Sequence, residues 1–435
     1  MSVQAWAVTD VGRKRKHNED TSLVDERLGL YAVADGMGGH AAGEVAATRC
    51  MEVLRETIRA KRELLDTYAD SPTQEHAEAV LALITTAIQN ASAEIARLAE
   101  EDPTRRGMGT TVVALLACGS KGIVAHVGDS RAYVVRGGRT HQLTEDHSLV
   151  EEHIKRGLMT RAEAEKSDIR NVITRAVGVQ ESVEVDTLVT DIVPGDVFLL
   201  CSDGLHGYFR DSEEITDLLA NTPTSDAAQA FVDLANTRGG KDNITALVIS
   251  SEEGEAYPEV TNVDRTVDIL KKIPLFQYMN YKELLAILAI TRRRQYGPGE
   301  IIVREGEAGD EFFVLLRGEV EVRKGDAFFA SLATGGHFGE MALIDQAPRS
   351  ATVKTVEPTH VLVIARDGLM KLMRKDSMLS VKLLWAFSLV LSERLRQTNE
   401  TVISLRSELD RIRASSVHAT QPDRPIVRLP FGGQW

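Results

Sequence analysis

The sequence predicts an α+β protein in two parts, a layered sandwich followed by a compact β-roll flanked by helices. Its 435 residues exceed what one core ordinarily organises. In residues 1–250 the predicted strands and helices come in clusters, which favours an α+β sandwich over a doubly wound sheet. Beyond residue 264, glycines at 297, 299, 306, 309, 318, 325, 335, 336 and 339 separate short strands, the punctuation of a β-roll or jelly roll.

Thr21–Asp25 and Leu28–Ala34 are alternating or apolar runs about a turn at Glu26-Arg27, and they read as a hairpin. Across Glu44–Tyr68 and Gln74–Glu101 apolar residues recur at three and four (Val80, Leu83, Ile84, Ala87, Ile88), predicting two long amphipathic helices. Strands follow at Thr110–Ala117, Gly122–Val127 and Ala132–Val135, then a polar helix-prone stretch over His147–Asp168. An isolated strand, Asp196–Cys201, precedes two short helices and a last strand, Ile244–Ser250. Residues 251–263, SEEGEAYPEVTNV, lack a period and read as a linker. Helices at Val267–Leu270 and Lys282–Ile290 lead into the roll. From about Ser380 to Ala414 the chain reads as helix, with Leu391, Leu395, Thr398, Val402, Leu405, Leu409 and Ile412 spaced alternately by four and three. The 391–414 seam fits a homodimeric coiled coil or a helix packed on its own domain, and the spacing leaves both open. The tail, 415–435, is expected to be disordered.

Composition excludes several classes. With 43% hydrophobic and 26% charged residues the chain is not mostly disordered. The net charge of −13 lies wholly in residues 1–250, which hold 26 basic and 39 acidic side chains against 25 and 25 in 251–435. That argues against nucleic acid as a partner and leaves cation binding open. Cys50, Cys118 and Cys201 lie far apart without metal-ligand spacing, as expected in a reducing, cytoplasmic compartment. At the start, the basic cluster follows the apolar stretch, the reverse of a secretory signal. Leu379–Leu391 contains Lys382 and is short of the roughly 20 residues that span a bilayer, so no membrane partner is expected.

Carboxylates at strand ends form the first constellation. Asp35 closes an apolar strand and is followed by Gly36-Met37-Gly38-Gly39-His40, and the hairpin brings Glu19 and Asp20 beside it. Asp203 ends one strand and Asp242 begins another; antiparallel pairing would put both on one edge. Asp129 sits at a strand break in Gly128-Asp129-Ser130-Arg131. Clustered carboxylates repel unless a cation neutralises them, and hard oxygen ligands suit Mg²⁺ or Mn²⁺. Each Asp-Gly pair taken singly is also an ordinary turn.

Taken together, over about residues 5–250, these motifs resemble the bacterial branch of the metal-dependent PPM protein phosphatases. The motifs run in the family's order: Gly12, Arg15-x-x-Asn18-Glu19-Asp20, Asp35-Gly36-Met37-Gly38-Gly39-His40, Gly109-Thr110-Thr111, Gly128-Asp129-Ser130-Arg131, Asp146-His147-Ser148, Ile173-Thr174-Arg175-Ala176, Ser202-Asp203-Gly204-Leu205 and Asp242-Asn243-Ile244-Thr245. The resemblance implies an α-β-β-α sandwich and hydrolysis of phosphoserine and phosphothreonine by metal-activated water. It implies that Asp35 bridges two Mn²⁺ or Mg²⁺ ions, with the Gly36 carbonyl and Glu19 on one, Asp203 and Asp242 on the other, and Asp129 on a weaker third. Arg15 would hold the phosphate. His40, three residues beyond Met37, fits either a proton donor or a turn residue satisfied by backbone. Residues 149–172 would form the variable flap.

The second constellation is Phe338-Gly339-Glu340-Met341-Ala342-Leu343, continuing through Arg349-Ser350-Ala351. A turn with free N–H groups beside one arginine makes an anion cradle. Over about residues 265–390 the chain resembles cyclic nucleotide-binding domains such as those of the protein kinase A regulatory subunit and the catabolite activator protein. That implies Glu340 on the ribose hydroxyl, Arg349 on the cyclic phosphate, and Gly339, Ala342 and Ser350 in support. Cyclic AMP is favoured over cyclic GMP by Ser350, although a hydroxyl there can also hold guanine.

The expectation is therefore a phosphatase domain (1–250), a linker (251–263), a cyclic nucleotide-binding domain (264–390), a helix (391–414) and a tail. Its function would be dephosphorylation of phosphoproteins under cyclic nucleotide control. The alternative is a nucleotide-sensing scaffold with an inactive phosphatase domain. A transcription factor would need a helix-turn-helix after the roll, and residues 391–435 offer one helix and a tail.

Overall fold

The computed structural model describes residues 3–38, 42–156, 158–164, 167–251, 263–344 and 347–419. Strand β1 (Val3–Asp10) and the hairpin β2 (Asp20–Asp25) and β3 (Leu30–Met37) lead into α1 (Ala42–Arg59), α2 (Arg62–Asp70) and α3 (Gln74–Glu101). Next come β4 (Gly109–Thr110), β5 (Val112–Cys118), β6 (Lys121–Val127), β7 (Arg131–Arg136) and β8 (Arg139–Gln142). Short helices α4 (Leu149–Lys155) and α5 (Arg161–Ala164) precede β9 (Asp186–Asp191) and β10 (Val197–Cys201). Helices α6 (Asp203–His206), α7 (Glu213–Asn221) and α8 (Thr224–Thr237) and strand β11 (Ile244–Ser251) complete the first half.

These strands form two sheets, ordered β2-β3-β5-β6-β9 and β1-β11-β10-β7-β8. Val33, Val113, Leu115 and Val124 from one meet Val134, Phe198, Leu200 and Leu247 from the other in a single buried cluster. Outside the first sheet pack α1 and α3 through Ala46, Cys50, Leu54, Ile84 and Ile88; outside the second packs α8 through Phe231 and Val232. The predicted four-layer α-β-β-α sandwich is thus present. Helix α3 is long and apolar enough by composition to cross a membrane, but one of its faces lies in this core.

The second half begins with α9 (Val263–Lys272) and α10 (Tyr281–Ala289). The roll comprises β12 (Thr291–Tyr296), β13 (Ile301–Val303), β14 (Glu311–Arg317), β15 (Val320–Lys324), β16 (Ala327–Leu332), β17 (His337–Phe338), β18 (Thr352–Thr355) and β19 (Thr359–Ala365). Two sheets, β12-β19-β14-β17 and β13-β18-β15-β16, enclose Phe313, Leu315, Val320, Phe338 and Val353. Helices α11 (Arg366–Lys375) and α12 (Ser377–Ala419) follow.

Several expectations are corrected. The helix foreseen over Glu44–Tyr68 breaks between α1 and α2, where Lys61 leaves the helical conformation (φ −123°, ψ 28°). The strand ending at Cys201 is not isolated but central, paired with both β7 and β11. Helix α12 runs to Ala419, so residues 415–419, expected in the tail, are helical. The linker's first and last residues, Ser251 and Val263, belong to β11 and α9; 252–262 and 420–435 lie outside the described residues.

The halves meet where α9 and α10 dock on β8 and β9. Tyr281 stacks on His141 with centroids 3.8 Å apart and receives Arg136 Nη1 on its hydroxyl at 3.3 Å. Arg136 forks onto Asp196 at 2.8 and 2.6 Å, with the side chains 6% and 1% exposed.

Candidate functional site

The hairpin register sets the first link. Asp20 faces Asp35 across β2 and β3, so the start of one strand meets the end of the other, as the sequence implied. Antiparallel pairing of β10 with β11 does the same for Asp203, just after β10, and Asp242, just before β11. Their approach is close: a Cβ on Gly204 would lie 1.9 Å from the Asn243 carbonyl oxygen, so only glycine lets the two backbones touch there. Asn243 pins the 11–19 loop, accepting from Glu19 N–H at 2.9 Å and donating to the Val11 and His17 carbonyls at 3.0 and 2.9 Å. That fixes both Glu19 and Arg15. Threonines 110 and 111 hold Asp35 in turn: both donate to its carbonyl, and its N–H donates to the Thr111 hydroxyl at 3.0 Å.

Electrostatics show a charge deficit. Burial, reinforced by Asp20, Asp203, Asp129 and Asp242, raises the Asp35 carboxyl well above the ordinary carboxylate range. Asp203 is raised by burial and Asp242, against a hydrogen bond with Asp35. Asp129 is pushed up to about 7 by burial and by Asp203 and Asp146. Burial also pushes Asp20 up to about 7, although Thr245 and Ser202 donate to its Oδ2 at 2.7 Å each. Its Oδ1 is buried without a hydrogen-bond partner. Converging carboxylates and an orphaned carboxylate oxygen fit divalent cations with oxygen preference. The positive group at the mouth is Arg15, whose Nη2 lies 2.6 Å from Asp242 Oδ2. His40 and Gly39 lie outside the described residues.

Sequence reasoning placed Glu19, Asp35, Gly36, Asp203, Asp242 and Arg15 in one region, and the structure brings them together. It missed what holds them: Asn243 on the 11–19 loop, Ser202 and Thr245 on Asp20, and the Arg131–Asp146 fork at 2.8 and 2.7 Å beside Asp129. Asp146 lies in a quoted motif, and its pairing with an arginine fifteen residues earlier was the available signal.

Residues 13–242 match the family described as Protein phosphatase 2C, just over half of the chain. The chain belongs to the protein phosphatase 2C family. The serine/threonine phosphatase stp of Listeria monocytogenes serovar 1/2a is 38% identical over 247 residues, 56% of this chain and 94% of that one. Protein phosphatase PhpP of Streptococcus pneumoniae serotype 2 is 35% identical over 260 residues, 57% of this chain and 98% of that one. Among solved structures, the Mycobacterium tuberculosis serine/threonine phosphatase PstP/Ppp superposes with TM-score 0.51 at 34% identity, covering 58% of this chain and 100% of that one. The PstP catalytic domain in complex with two manganese ions gives TM-score 0.50 at 33% identity, covering 58% of this chain and 99% of that one. Residues 293–376 separately match the cyclic nucleotide-binding domain.

In that second region Gly339 precedes a 3₁₀ turn over Glu340–Leu343, and Arg349 folds back against it. A Cβ on Gly309 would lie 2.2 Å from Arg349 Nε, so a larger residue there would displace the guanidinium from its present place. Arg349 also sits 5.7 Å from the Phe313 ring centroid. Burial lowers its pKa, and its buried Nη1 has no partner. Glu340, 10% exposed at its side chain, pairs at 2.5 Å with Arg394 of α12. The Ala342 N–H is taken by the Gly339 carbonyl at 3.1 Å, and Ser350 is exposed.

Proposed function

We propose that this protein is a Mn²⁺- or Mg²⁺-dependent phosphatase of phosphoserine and phosphothreonine proteins whose output is set by a cyclic nucleotide bound to its C-terminal roll. The observation that carries the catalytic half is the convergence of Asp35, Asp203, Asp129 and Asp20 into one buried cluster with raised pKa values. Divalent cations there would activate water and shield the phosphate's charge. Asp35, Glu19 and the Gly36 carbonyl would hold one ion, Asp203 and Asp242 with Asp35 a second, and Asp129 a third. Arg15 binds the phosphate dianion after leaving Asp242; both partners are at least a third exposed, so the exchange costs little. Phosphopeptide hydrolysis by Asp35→Asn and Asp203→Asn should fall to background with Mn²⁺ present. Wild-type rates in either would refute the assignment.

The regulatory half rests on the cradle. Arg349 Nη1 is a buried donor without an acceptor, the kind of group an anionic phosphate would satisfy. A ribose hydroxyl on Glu340 would compete with Arg394, so the nucleotide's occupancy would be felt by α12. Cyclic AMP is the favoured ligand. Calorimetry should show heat with wild type and none with Arg349→Ala, and absence of binding by wild type to either cyclic AMP or cyclic GMP would end the reading. Two separate pairs of sheets, one within Val3–Ser251 and one within Thr291–Ala365, support a division into domains of about 1–250 and 264–390. Three free, buried cysteines agree with a cytoplasmic, reducing setting.

A second copy of the chain is the proposed partner for α12. One face of the helix, Leu379, Leu383, Ala386 and Phe387, is buried in its own domain. The heptad face, Leu391, Leu395, Val402, Leu405 and Leu409, is 40–63% exposed. Glu408 and Arg413 fall at g and e positions, which a parallel copy would pair. Sedimentation should give a dimer that Leu395→Lys with Leu409→Lys dissociates; a monomeric wild type would refute it.

A further inference from the structure

Lys282, the second residue of α10, belongs to the nucleotide half, yet its charge is spent on the phosphatase. Its Nζ lies 3.1 Å from Asp186 Oδ2 and 3.7 Å from Glu145 Oε2. The other Asp186 oxygen binds Arg175 Nη1 at 3.0 Å and faces His147 Nε2 at 3.5 Å. His147 grips the residue before Asp129 at two points. The Gly128 N–H donates to His147 Nδ1 at 3.1 Å, and the His147 N–H donates to the Gly128 carbonyl at 2.9 Å.

Because Nδ1 accepts, the neutral ring carries its proton on Nε2, which lies 3.5 Å from Asp186 Oδ1 and 3.3 Å from Arg175 Nη1, itself a donor to that carboxylate oxygen. The carboxylate thereby selects the tautomer and ring angle that the Gly128 N–H requires, as carboxylates do for imidazoles at metal sites. Stacking on His126 at 4.6 Å holds the ring plane. The same residue closes the flap's base: Thr174 N–H donates to the His147 carbonyl at 2.8 Å, and Leu149 N–H to Val172 at 2.8 Å. His126, His147 and Asp186 bring three ligand atoms within 4.8 Å of one another. Lys282 and Arg175 already neutralise Asp186, so the cluster reads as an oriented network and not as a cation site.

We propose that Lys282 is a positioning residue for the phosphatase reaction: through Asp186 and His147 it fixes the Gly128–Asp129 backbone, and with it the Asp129 carboxylate. This rests on Asp129 as a metal ligand. Lys282 is itself well placed to report on the nucleotide half. Asn280 and Glu283 form a capping box around it, Asn280 donates to Glu145 at 3.0 Å, and both Glu283 oxygens bind Lys382 of α12 at 2.7 and 2.9 Å. Helix α12 also carries Arg394, the partner of Glu340. Contiguity of this kind becomes coupling only if removing a link is felt at the far end.

The full chain would be compared as wild type, Lys282→Met, Lys282→Arg, Asp129→Asn and Arg139→Ala. Arg139 bridges the same interface to Asp268 at 3.2 Å but touches none of the network. Two quantities are read: hydrogen–deuterium exchange over residues 127–131, and the Mn²⁺ concentration giving half-maximal phosphopeptide turnover. Lys282→Met should speed exchange at 127–131 and raise the half-maximal Mn²⁺ about fivefold, the weight of one ordinary hydrogen bond. The rate at saturating Mn²⁺ should be nearly retained, Lys282→Arg should restore both readouts, and Arg139→Ala should move neither. Unchanged exchange in Lys282→Met overturns the proposal, as does an equal effect from Arg139→Ala. A shifted Mn²⁺ response in Asp129→Asn but not in Lys282→Met also overturns it. If Asp129→Asn itself leaves the response at wild type, the ligand role of Asp129 is what fails.

Discussion

Loading the metal-free protein with Mn²⁺ should expel protons, in a number that falls steeply between pH 6 and 8. Without metal, Asp20 and Asp129 are each pushed up to about 7, burial being the main cause for both, and burial raises Asp35 well above the ordinary carboxylate range. A group titrating at about 7 holds about 0.9 proton at pH 6 and about 0.1 at pH 8. Cations that neutralise the cluster return these carboxyls to their charged forms. The count released at pH 6 should therefore exceed that at pH 8 by about one and a half. Apparent Mn²⁺ affinity should rise about tenfold per pH unit for each proton displaced. Stability follows with its own sign: between about pH 4 and 7 the metal-free native state binds more protons than the unfolded chain, so its stability falls as pH rises through that window. The metal-loaded protein should lack this slope. Calorimetric Mn²⁺ titrations in two buffers of different ionisation enthalpy, at both pH values, give the proton count directly. Equal counts at pH 6 and 8 would mean that metal displaces no protons from Asp20 and Asp129.

Other consequences are equally direct. Arg136→Met strands the Asp196 carboxylate at 1% exposure, and chemical denaturation should show a loss of about 3–5 kcal/mol. Gly204→Ala sets a methyl against the Asn243 carbonyl; a loss of at least about 1–3 kcal/mol from overpacking, with collapse of turnover, should appear in melting and phosphopeptide assays. Arg394→Ala frees Glu340 from a half-exposed partner, so cyclic nucleotide should bind about two- to fivefold tighter by calorimetry, equivalent to a pair worth up to about 1 kcal/mol. Weaker binding would mean that Arg394 serves the ligand.

What the sequence made legible was the chemistry at strand ends. Asp35, Asp203 and Asp242 each close or open an apolar run, and a period-two strand leaves little freedom over where its last residue lies. Strand β1 went unread because it is an edge strand with a mixed pattern, and β8, Arg-Thr-His-Gln, because it is polar throughout. Such strands exist through a partner's ladder and not through their own propensity. The break at Lys61 carries no proline or glycine, so the apolar period runs across it unmarked. Lys282 is invisible for a different reason: its partner Asp186 is 96 residues away, and nothing local distinguishes a docking lysine from a solvated one.

Helix α1 and the buried site draw attention away from the four residues of the turn between β2 and β3, Glu26–Gly29, yet those residues govern where Asp35 stands. Asp25 pairs with Leu30 and Asp20 with Asp35, so the pairing begins at the turn and counts outward to the carboxylates, about 17 Å away along the strands. Lengthening or shortening the turn by one residue would shift that count and turn Asp35 toward the opposite face of its sheet. The turn thus acts as a ruler for the centre, and its composition is held as firmly as its length: Leu28 is buried, and a Cβ on Gly29, at φ +64°, would lie 2.3 Å from the Ala117 carbonyl oxygen.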